Sequence, residues 1–472
     1  MSANSAIVIN RSNETSPFYN ALKSRNSKSL PELYSSEINT EAAAQSRVKI
    51  SSSTTPGYSR TVRIPLVRYG MLNRLYLHSQ FSKAGGTPAG DAAVEAVPFI
   101  GAFVGKEYRL MYQGQVICKT TPWEIIAYNW KYGTDRERNL LQEMLGAFNI
   151  DGTASGVPAS ADRASVHPSN RVIAGAGRIT GIQDFYVPLD FFFSSKWSAN
   201  RNLDLSVLAN EVTLEIDVDS ASNLWHVTKV ADAQAPTLDT LEAVCYLTEL
   251  NLEVEKTFRS LQYAAGAAPT TQLCFNTEHM IVASGIDHNS ADTVIEVKLN
   301  QFSGSVQKFL VWAQLVDDFG TNKDRIRPCA LNELQLKAVG TNIYNADKLQ
   351  EKEELLEIYN QGGQFKSLGE TEATSGWADI ECNPQFIYCI NLKKPLDMNP
   401  CSASGSISMG QLSTPSLRLN VAGVAGAPFG TMPNLQTGGA VKLEVHVVAY
   451  MTTLVSYQTN SSGSTNIRMI NN

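Results

Sequence analysis

The sequence predicts an all-β chain built from two tandem copies of one antiparallel unit, with a few short helices and long loops. Three observations carry this expectation. Apolar residues recur with period two along most of the chain, helix start signals are few, and an ordered set of segments in the first half is echoed in the second.

Length sets the frame. At 472 residues the chain is too long for one hydrophobic core, since cores stop growing at about 250–300 residues, so two domains are expected. Hydrophobic residues make up 43% and charged residues 18%, the mark of a globular, charge-poor chain. Such a surface suits a protein partly covered by other subunits.

Alternation identifies the strands. In EVTLEIDV, Val212, Leu214, Ile216 and Val218 face one way while Glu211, Thr213, Glu215 and Asp217 face the other. VIEVKLN (Ile295, Val297, Leu299), LRLNV (Leu417, Leu419, Val421) and VKLEVHVVAYM (Val441, Leu443, Val445, Val447) repeat the pattern. Apolar-in, polar-out segments are what antiparallel sheets require. VPLDFFF places Val187, Leu189, Phe191 and Phe193 on one face, and Phe192 on the other implies burial on both sides.

The helices are signposted by caps. Thr121-Pro-Trp-Glu124 is a capping box with Pro at the first helical position, opening TPWEIIAYNWKYG. Thr134-Asp-Arg-Glu137 is a second box, followed by Leu140, Leu141, Met144 and Leu145, with Gly146 as the stop. Asn345 is positioned to cap ADKLQEKEELLEIYNQGG. Gly-, Ser- and Pro-rich loops are expected near 82–98, 149–181, 219–240, 362–378, 396–416 and 422–439.

The echo gives the organisation. Leu110, Gly114 and Ile117 recur as Leu336, Gly340 and Ile343, an offset of 340 − 114 = 226, and each set precedes a segment ending Tyr-Asn. Leu214-Glu-Ile-Asp-Val218 recurs as Leu417-Arg-Leu-Asn-Val421, an offset of 417 − 214 = 203. Matches in one order imply two copies of one unit. The expected divisions are an N-terminal arm 1–57, a first unit 58–256, a second unit 257–457 and a polar C-terminal tail 458–472. An eight-stranded antiparallel sandwich with long loops at one end is a jelly roll, so a double jelly roll is the expected architecture.

Charge and cysteine usage exclude several classes. A net charge of −6 argues against a dedicated nucleic-acid binder. Residues 1–30 are locally basic, with Arg11, Lys23, Arg25 and Lys28 against Glu14, or 4 − 1 = +3. That arm is a candidate contact for phosphate or lipid headgroups, or else a solvated tail. Seven scattered cysteines without a CxxC pair fit reduced thiols and a reducing compartment. The opening MSANSAIVINRSN is short of a secretory signal, and no stretch approaches the roughly 18–20 apolar residues of a membrane span. A soluble, non-secreted protein is expected, with the sequons at Asn10, Asn13 and Asn460 unused.

The order of motifs resembles a known family. VGKEYRLMYQGQVICKTTPWEIIAYNWKYG, VPLDFFFSSKWSANRNLDLSVLANEVTLEIDV and AVCYLTELNLEVEKTFRSLQ follow the sequence of segments in major capsid proteins of nucleocytoplasmic large DNA viruses. In the second half VWAQLV, LQLKAVGTNIYNADKLQEKEELLEIYN and VKLEVHVVAYMTTLVSY continue the series. Ser198 to Leu203 replaces the family's Pro-Gly-rich segment, and the crossover keeps Lys256 and Arg259 in place of a run of arginines.

The resemblance implies a homotrimer whose six similar walls make a pseudo-hexagonal capsomer, tiling an icosahedral shell around a DNA genome. Neighbouring capsomers, minor capsid proteins and penton proteins would be its partners, with inner-membrane lipid against the N-terminal arm. Loops 149–181, 362–378 and 422–439 would form outer towers. The implied location is the virion, with assembly in the host cytoplasm, no enzymatic activity, no cofactor and no sequence-specific nucleic-acid binding.

Reactive constellations are weak by comparison. Asp190 and Glu211 are imaginable as a glycosidase pair, but carboxylates are common on sheet surfaces. Glu278-His279 with Asp287-His288 fits no zinc or calcium spacing and reads as solvated loop residues. Asp217, Asp219 and Asn223 lack the Gly and Glu of a calcium loop, and His446 reads as an outward-facing polar residue. No catalytic, cofactor-binding or metal-binding residue is therefore expected. The alternative from another class is a tandem β-sandwich that binds or cleaves carbohydrate.

Overall fold

The computed structural model describes residues 43–82, 93–96, 99–132, 137, 140–141, 144–146, 172–174, 183–194, 202–228, 235–250, 270–288, 292–316, 329, 331–349, 387–392, 406–422, 441–460 and 465–470. The first half comprises β1 (Ala43–Ser51), β2 (Thr61–Pro65), β3 (Met71–Ser82), β4 (Ala93–Ala96), α1 (Ile100–Phe103), β5 (Gly105–Tyr112), β6 (Gln115–Thr120) and α2 (Pro122–Tyr132). It continues with β7 (Val172–Ala174), β8 (Gln183–Pro188), β9 (Leu203–Asp204), β10 (Val212–Val218), α3 (Ala221–Leu224), β11 (Trp225–Thr228) and β12 (Thr237–Leu250). The second half holds β13 (Thr270–His288), β14 (Thr293–Lys298), β15 (Ser305–Val316), β16 (Leu331–Ala338), β17 (Thr341–Ala346) and β18 (Tyr388–Asn391). It ends with β19 (Ile407–Ser408), β20 (Ser416–Val421), β21 (Val441–Thr459) and β22 (Thr465–Ile470).

These strands form two sandwiches of one topology. The first pairs a sheet ordered β1-β12-β3-β8 with one ordered β2-β10-β5-β6. The second pairs β13-β21-β15-β18 with β14-β20-β16-β17, the same order strand for strand. Even the accessory strands correspond, since β9 pairs with β3 as β19 pairs with β15. All the strand pairings within both rolls are antiparallel.

The duplication extends to single residues. In the first roll Arg74 faces Tyr246 and Leu72 faces Leu247, which leaves Asn73 as a bulge. In the second, Lys308 faces Tyr450 and Val306 faces Met451, so Gln307 is the equivalent bulge. The echoed Gly114 and Gly340 lie in matching two-residue hairpin turns, where Gln113 and Val339 (φ 50° and 52°) precede glycines at φ 76° and 75°. Left-handed values at both central positions match the twist of the flanking strands.

Each roll has its own core. In the first, Leu75, Leu77 and Phe81 of β3 meet Leu214 and Ile216 of β10, all nearly solvent-free. In the second, Phe309 and Val311 of β15 meet Leu417 and Leu419 of β20. Glu215, expected on the polar outer face, lies there but is covered: Arg63 and Arg109 each approach its carboxylate at 2.7 Å. Burial pushes that carboxyl up, but the two guanidiniums outweigh it and hold the pKa below the usual range.

Several expectations need correcting. Residues 43–51, assigned to an arm, form β1 and pair with β12 from Ala43↔Leu250 to Ser51↔Glu242; the rest of the arm, 1–42, lies outside the described residues. The polar tail contains β22, which pairs with β21 because Ile467 alternates inward among polar neighbours. β8 stops at Pro188, so the three phenylalanines occupy a turn, in which Ser194 N–H bonds the Phe191 carbonyl at 2.9 Å. Pro188 has no N–H with which to extend the ladder; beyond it Leu189 N–H reaches the Leu75 carbonyl at 3.0 Å, and Ser194 Oγ accepts from Leu75 N–H at 3.1 Å. Phe191, Phe192 and Phe193 are nonetheless all buried. Asn345 lies in β17, and the helix expected after it falls outside the described residues. Thr134 is likewise outside them, although 137, 140–141 and 144–145 are helical and Gly146 ends the run at φ 71°. Stretches read as loops also contribute β4, β7 and β11, which form a separate three-stranded sheet.

Candidate functional site: the seam between the rolls

α2 is one of two elements that join the two rolls. Thr121 Oγ1 accepts the Glu124 N–H at 3.4 Å, and the Glu124 carboxylate accepts the Thr121 N–H in return, completing the capping box. The helix then divides its side chains. Ile125 and Ile126 enter the first core, while Ala127 and Tyr128 pack on Leu310, Trp312, Ile387, Cys389, Val448 and Tyr450 of the second roll. Trp123 touches both groups. The covered surface is the outer face of the β13-β21-β15-β18 sheet. Lys308 Nζ closes one end, 4.5 Å from the Tyr450 ring centroid and 5.2 Å from that of Tyr128.

Beside this apolar patch runs a chain of hydrogen bonds. Thr121 Oγ1 lies 3.0 Å from His279 Nδ1, His279 Nε2 lies 3.1 Å from His446 Nδ1, and His446 Nε2 lies 2.8 Å from Glu444 Oε1. Gln314 donates to the same carboxylate oxygen and accepts from Trp312 Nε1 at 3.3 Å. A carboxylate only accepts, so His446 carries its proton on Nε2 and accepts at Nδ1. His279 therefore donates from Nε2 and accepts the Thr121 hydroxyl proton at Nδ1. Every ring nitrogen is used, with both imidazoles neutral.

Burial explains that neutrality. His446 is solvent-free and His279 retains little exposure. Desolvation drives both pKa values down; His446 and Lys119 push His279 lower still, while Glu444 offsets only part of the effect on His446. Trp312 stacks on His446 with centroids 4.7 Å apart, and Trp123 sits 4.6 Å from it. Glu444 is pushed up by burial, but its bonds to His446 and Gln314 bring its net pKa below the normal value.

Glu124 is the acidic counterpart. It is 4% exposed and accepts the hydroxyls of Thr120 at 3.0 Å and Thr277, from the second roll, at 2.7 Å. Desolvation outweighs these bonds and raises its pKa to about 7.

A second clasp joins the rolls from the C-terminal side. Ala209 N–H donates to the Thr465 carbonyl at 3.0 Å, and the Tyr112 hydroxyl lies 3.1 Å from Asn466 Oδ1. Val455, Tyr457 and Ile467 of β21 and β22 belong to the first roll's core.

The residues weighed from the sequence are placed as follows. Asp190 accepts from Asn129 Nδ2 at 3.0 Å beneath α2, whereas Glu211 is exposed at the head of β10 in the other sheet. Asp217 bonds Thr61 and Arg109, and Asp219 takes the Ser220 N–H and Asn223 Nδ2 at the start of α3. Glu278, His279, Asp287 and His288 are in strand β13 and not in a loop, and His446 points into the seam and not into solvent. Alternation hid this, because the sheet is covered on both faces. Among the described residues no group of three or more His, Cys, Asp and Glu side chains is placed to hold a metal.

Two rolls of identical strand order, docked through α2 and β22, define a double jelly roll. No protein-family model matches the sequence, and no curated protein matches it significantly. The fold is similar to PBCV-1 VP54, whose crystal structure was fitted into a reconstruction of the virophage Sputnik. The TM-score is 0.61 at 14% identity, over 93% of this chain and 100% of that one. It is similar also to the Faustovirus major capsid protein, with TM-score 0.55 and 11% identity over 95% of this chain and 98% of that one. The mavirus major capsid protein gives 0.50 and 11% over 94% and 93%.

Proposed function

We propose that this chain is a viral major capsid protein, structural and not catalytic, whose copies associate as trimers that tile an icosahedral shell. The observation that carries this reading is the matched duplication: each chain supplies two walls of the same strand order and bulge position. Three chains supply six such walls. A three-fold ring is closed and heterologous, so it needs two different complementary faces on each protomer, and two non-identical rolls provide them.

The site chemistry supports the same reading. Thr121, His279, His446 and Glu444 are bonded in one chain and Glu124 to Thr277 across the rolls, and these bonds fix how the rolls meet. In this account the virion is the protein's location, other capsomers and minor capsid proteins are its neighbours, and the basic arm lies on the inner side of the shell.

Native mass measurement tests the proposal. A capsomer weighs about three times the 51.5 kDa chain and shows a pseudo-hexagonal outline in negative stain. A monomer that binds or cleaves glycans would instead establish the tandem β-sandwich alternative. Protease clipping within residues 1–42 on intact particles before the towers would remove the inner placement of the arm.

A further inference from the structure

The hydrogen-bonded chain through the seam limits how many protons its two imidazoles hold. Thr121 donates to His279 Nδ1, His279 Nε2–H donates to His446 Nδ1, and His446 Nε2–H donates to Glu444. One added proton is accommodated: His279 Nδ1 becomes a donor, and the Thr121 hydroxyl turns from donor to acceptor. A second is not. It sets a His279 Nε2–H against a His446 Nδ1–H across 3.1 Å, so the bond between the rings must break.

The surroundings oppose even the first. Thr121 caps the N-terminus of α2, so His279 lies at the helix end that carries partial positive charge. Lys119 of β6 and the neighbouring ring add to that repulsion. Glu444 of β21 faces the pair from the far side and is shared with Gln314 of β15. Trp123 of α2 and Trp312 of β15 complete the surroundings of His446 at 4.6 Å and 4.7 Å, and neither titrates. Glu124 of α2 is turned to Thr120 and Thr277, and Glu278 alternates away from His279 along β13. His78 of the first roll is the contrast: each of its ring nitrogens faces a carboxylate, Asp184 at 2.9 Å and Glu242 at 3.0 Å.

We propose that the seam is an acid-operated latch: protonation of the His279–His446 pair lifts α2 from the outer face of the β13-β21-β15-β18 sheet while each roll keeps its own core. The rolls stay tethered, because the second clasp, Ala209 to Thr465 and Tyr112 to Asn466, contains no histidine or carboxylate and acts as the hinge. Val455, Tyr457 and Ile467 remain seated in the first roll's core. Opening bares Tyr128, Trp312, Val448 and Tyr450, a largely apolar surface that the closed chain hides. The freed rings return to water and take up protons at the ordinary value of about 6.5, so acid favours the open form. Glu124, protonated in the closed seam up to about pH 7, releases its proton on opening and blunts the response. The latch concerns the two rolls of one chain and does not rest on the trimer reading.

Hydrogen–deuterium exchange of the full chain between about pH 7 and pH 5, corrected for the intrinsic rate, tests the latch. Protection of α2 falls by at least about tenfold over that interval, while the core segments around Phe185 and Phe309 keep theirs. His279→Gln with His446→Gln, amides that still donate and accept but take no proton, abolishes the fall, and Glu124→Gln steepens it. Protection of α2 that does not change with pH, that fails together with both cores, or that still falls in the double variant overturns the latch. Should the double variant not fold, exchange of the C2 hydrogens of the wild-type histidines decides the matter. In a latch, His279 and His446 become charged only as α2 loses protection; rings that charge beneath a still-protected α2 refute it.

Discussion

His279 Nε2 and His446 Nδ1 lie 3.1 Å apart, a contact between residues separated by 167 positions on adjacent strands of the second roll. The pair extends to Thr121 of the first roll, so a bond within one sheet becomes part of what joins two rolls.

That pair makes the seam acid-sensitive. Both folded-state pKa values are depressed, so below the unfolded value of about 6.5 the unfolded chain binds protons that the folded chain does not. Stability rises with pH in that window and is lost on acidification. Glu124 opposes the trend between about 4.5 and 7, so the net loss on acidification is smaller than the two histidines alone would give. The charged groups facing the pair are Lys119 and Glu444. Denaturant midpoints at pH 5, 6 and 7 measure the slope, and a flat profile contradicts it.

Glu124→Gln isolates the carboxyl. Its folded pKa of about 7 exceeds the model-peptide value of 4.5, so the wild type carries a penalty that grows as pH rises through that interval and then levels off. The variant gains on wild type over the same interval, by up to about 3 kcal/mol. An advantage that does not change with pH would mean the carboxyl is not protonated in the fold.

Trp312→Ala empties the middle of the seam, where the ring is 1% exposed. The expected cost is about 3–5 kcal/mol. Because the cavity opens between the rolls and not inside a core, equilibrium unfolding should separate into two transitions. A single unchanged transition would show that α2 is not what couples them.

Gly114→Ala and Gly340→Ala test the equivalence of the two hairpins. Neither added Cβ meets an atom within 4 Å, yet both sites have φ above +70°. The cost is conformational, about 1 kcal/mol at each. Thermal melts of the two variants should agree, and a large difference would mean that the turns are not equivalent.

Much of the fold was legible. Val212 to Val218, Ile295 to Val297 and Leu417 to Val421 form the strands that their alternation indicated, because each has one face on a core and one toward water. The Leu-Gly-Ile echo was legible because a two-residue turn tolerates few residues at left-handed φ. The seam was not. His446 and His279 alternate as outward residues do, and only docking of the other roll buries His446 and half-buries His279. β1 was missed for a related reason. Gln45 to Ile50 alternates between exposed and half-buried, and its pairing with β12 depends on residues some 200 positions away.

The strands, the capping of α2, the hairpin turns and the doubling of the unit follow from local patterns of residues, since each depends on neighbours within one or two turns or strands. Tertiary structure alone decided which outward faces are covered. That covering places Glu124 beside Thr277 and His446 between Trp123 and Trp312, and it leaves Arg47 and Arg74 exposed on the corresponding sheet of the first roll. The physical reason is that burial of a sheet's second face is set by what packs against it, and period-two alternation encodes only the first.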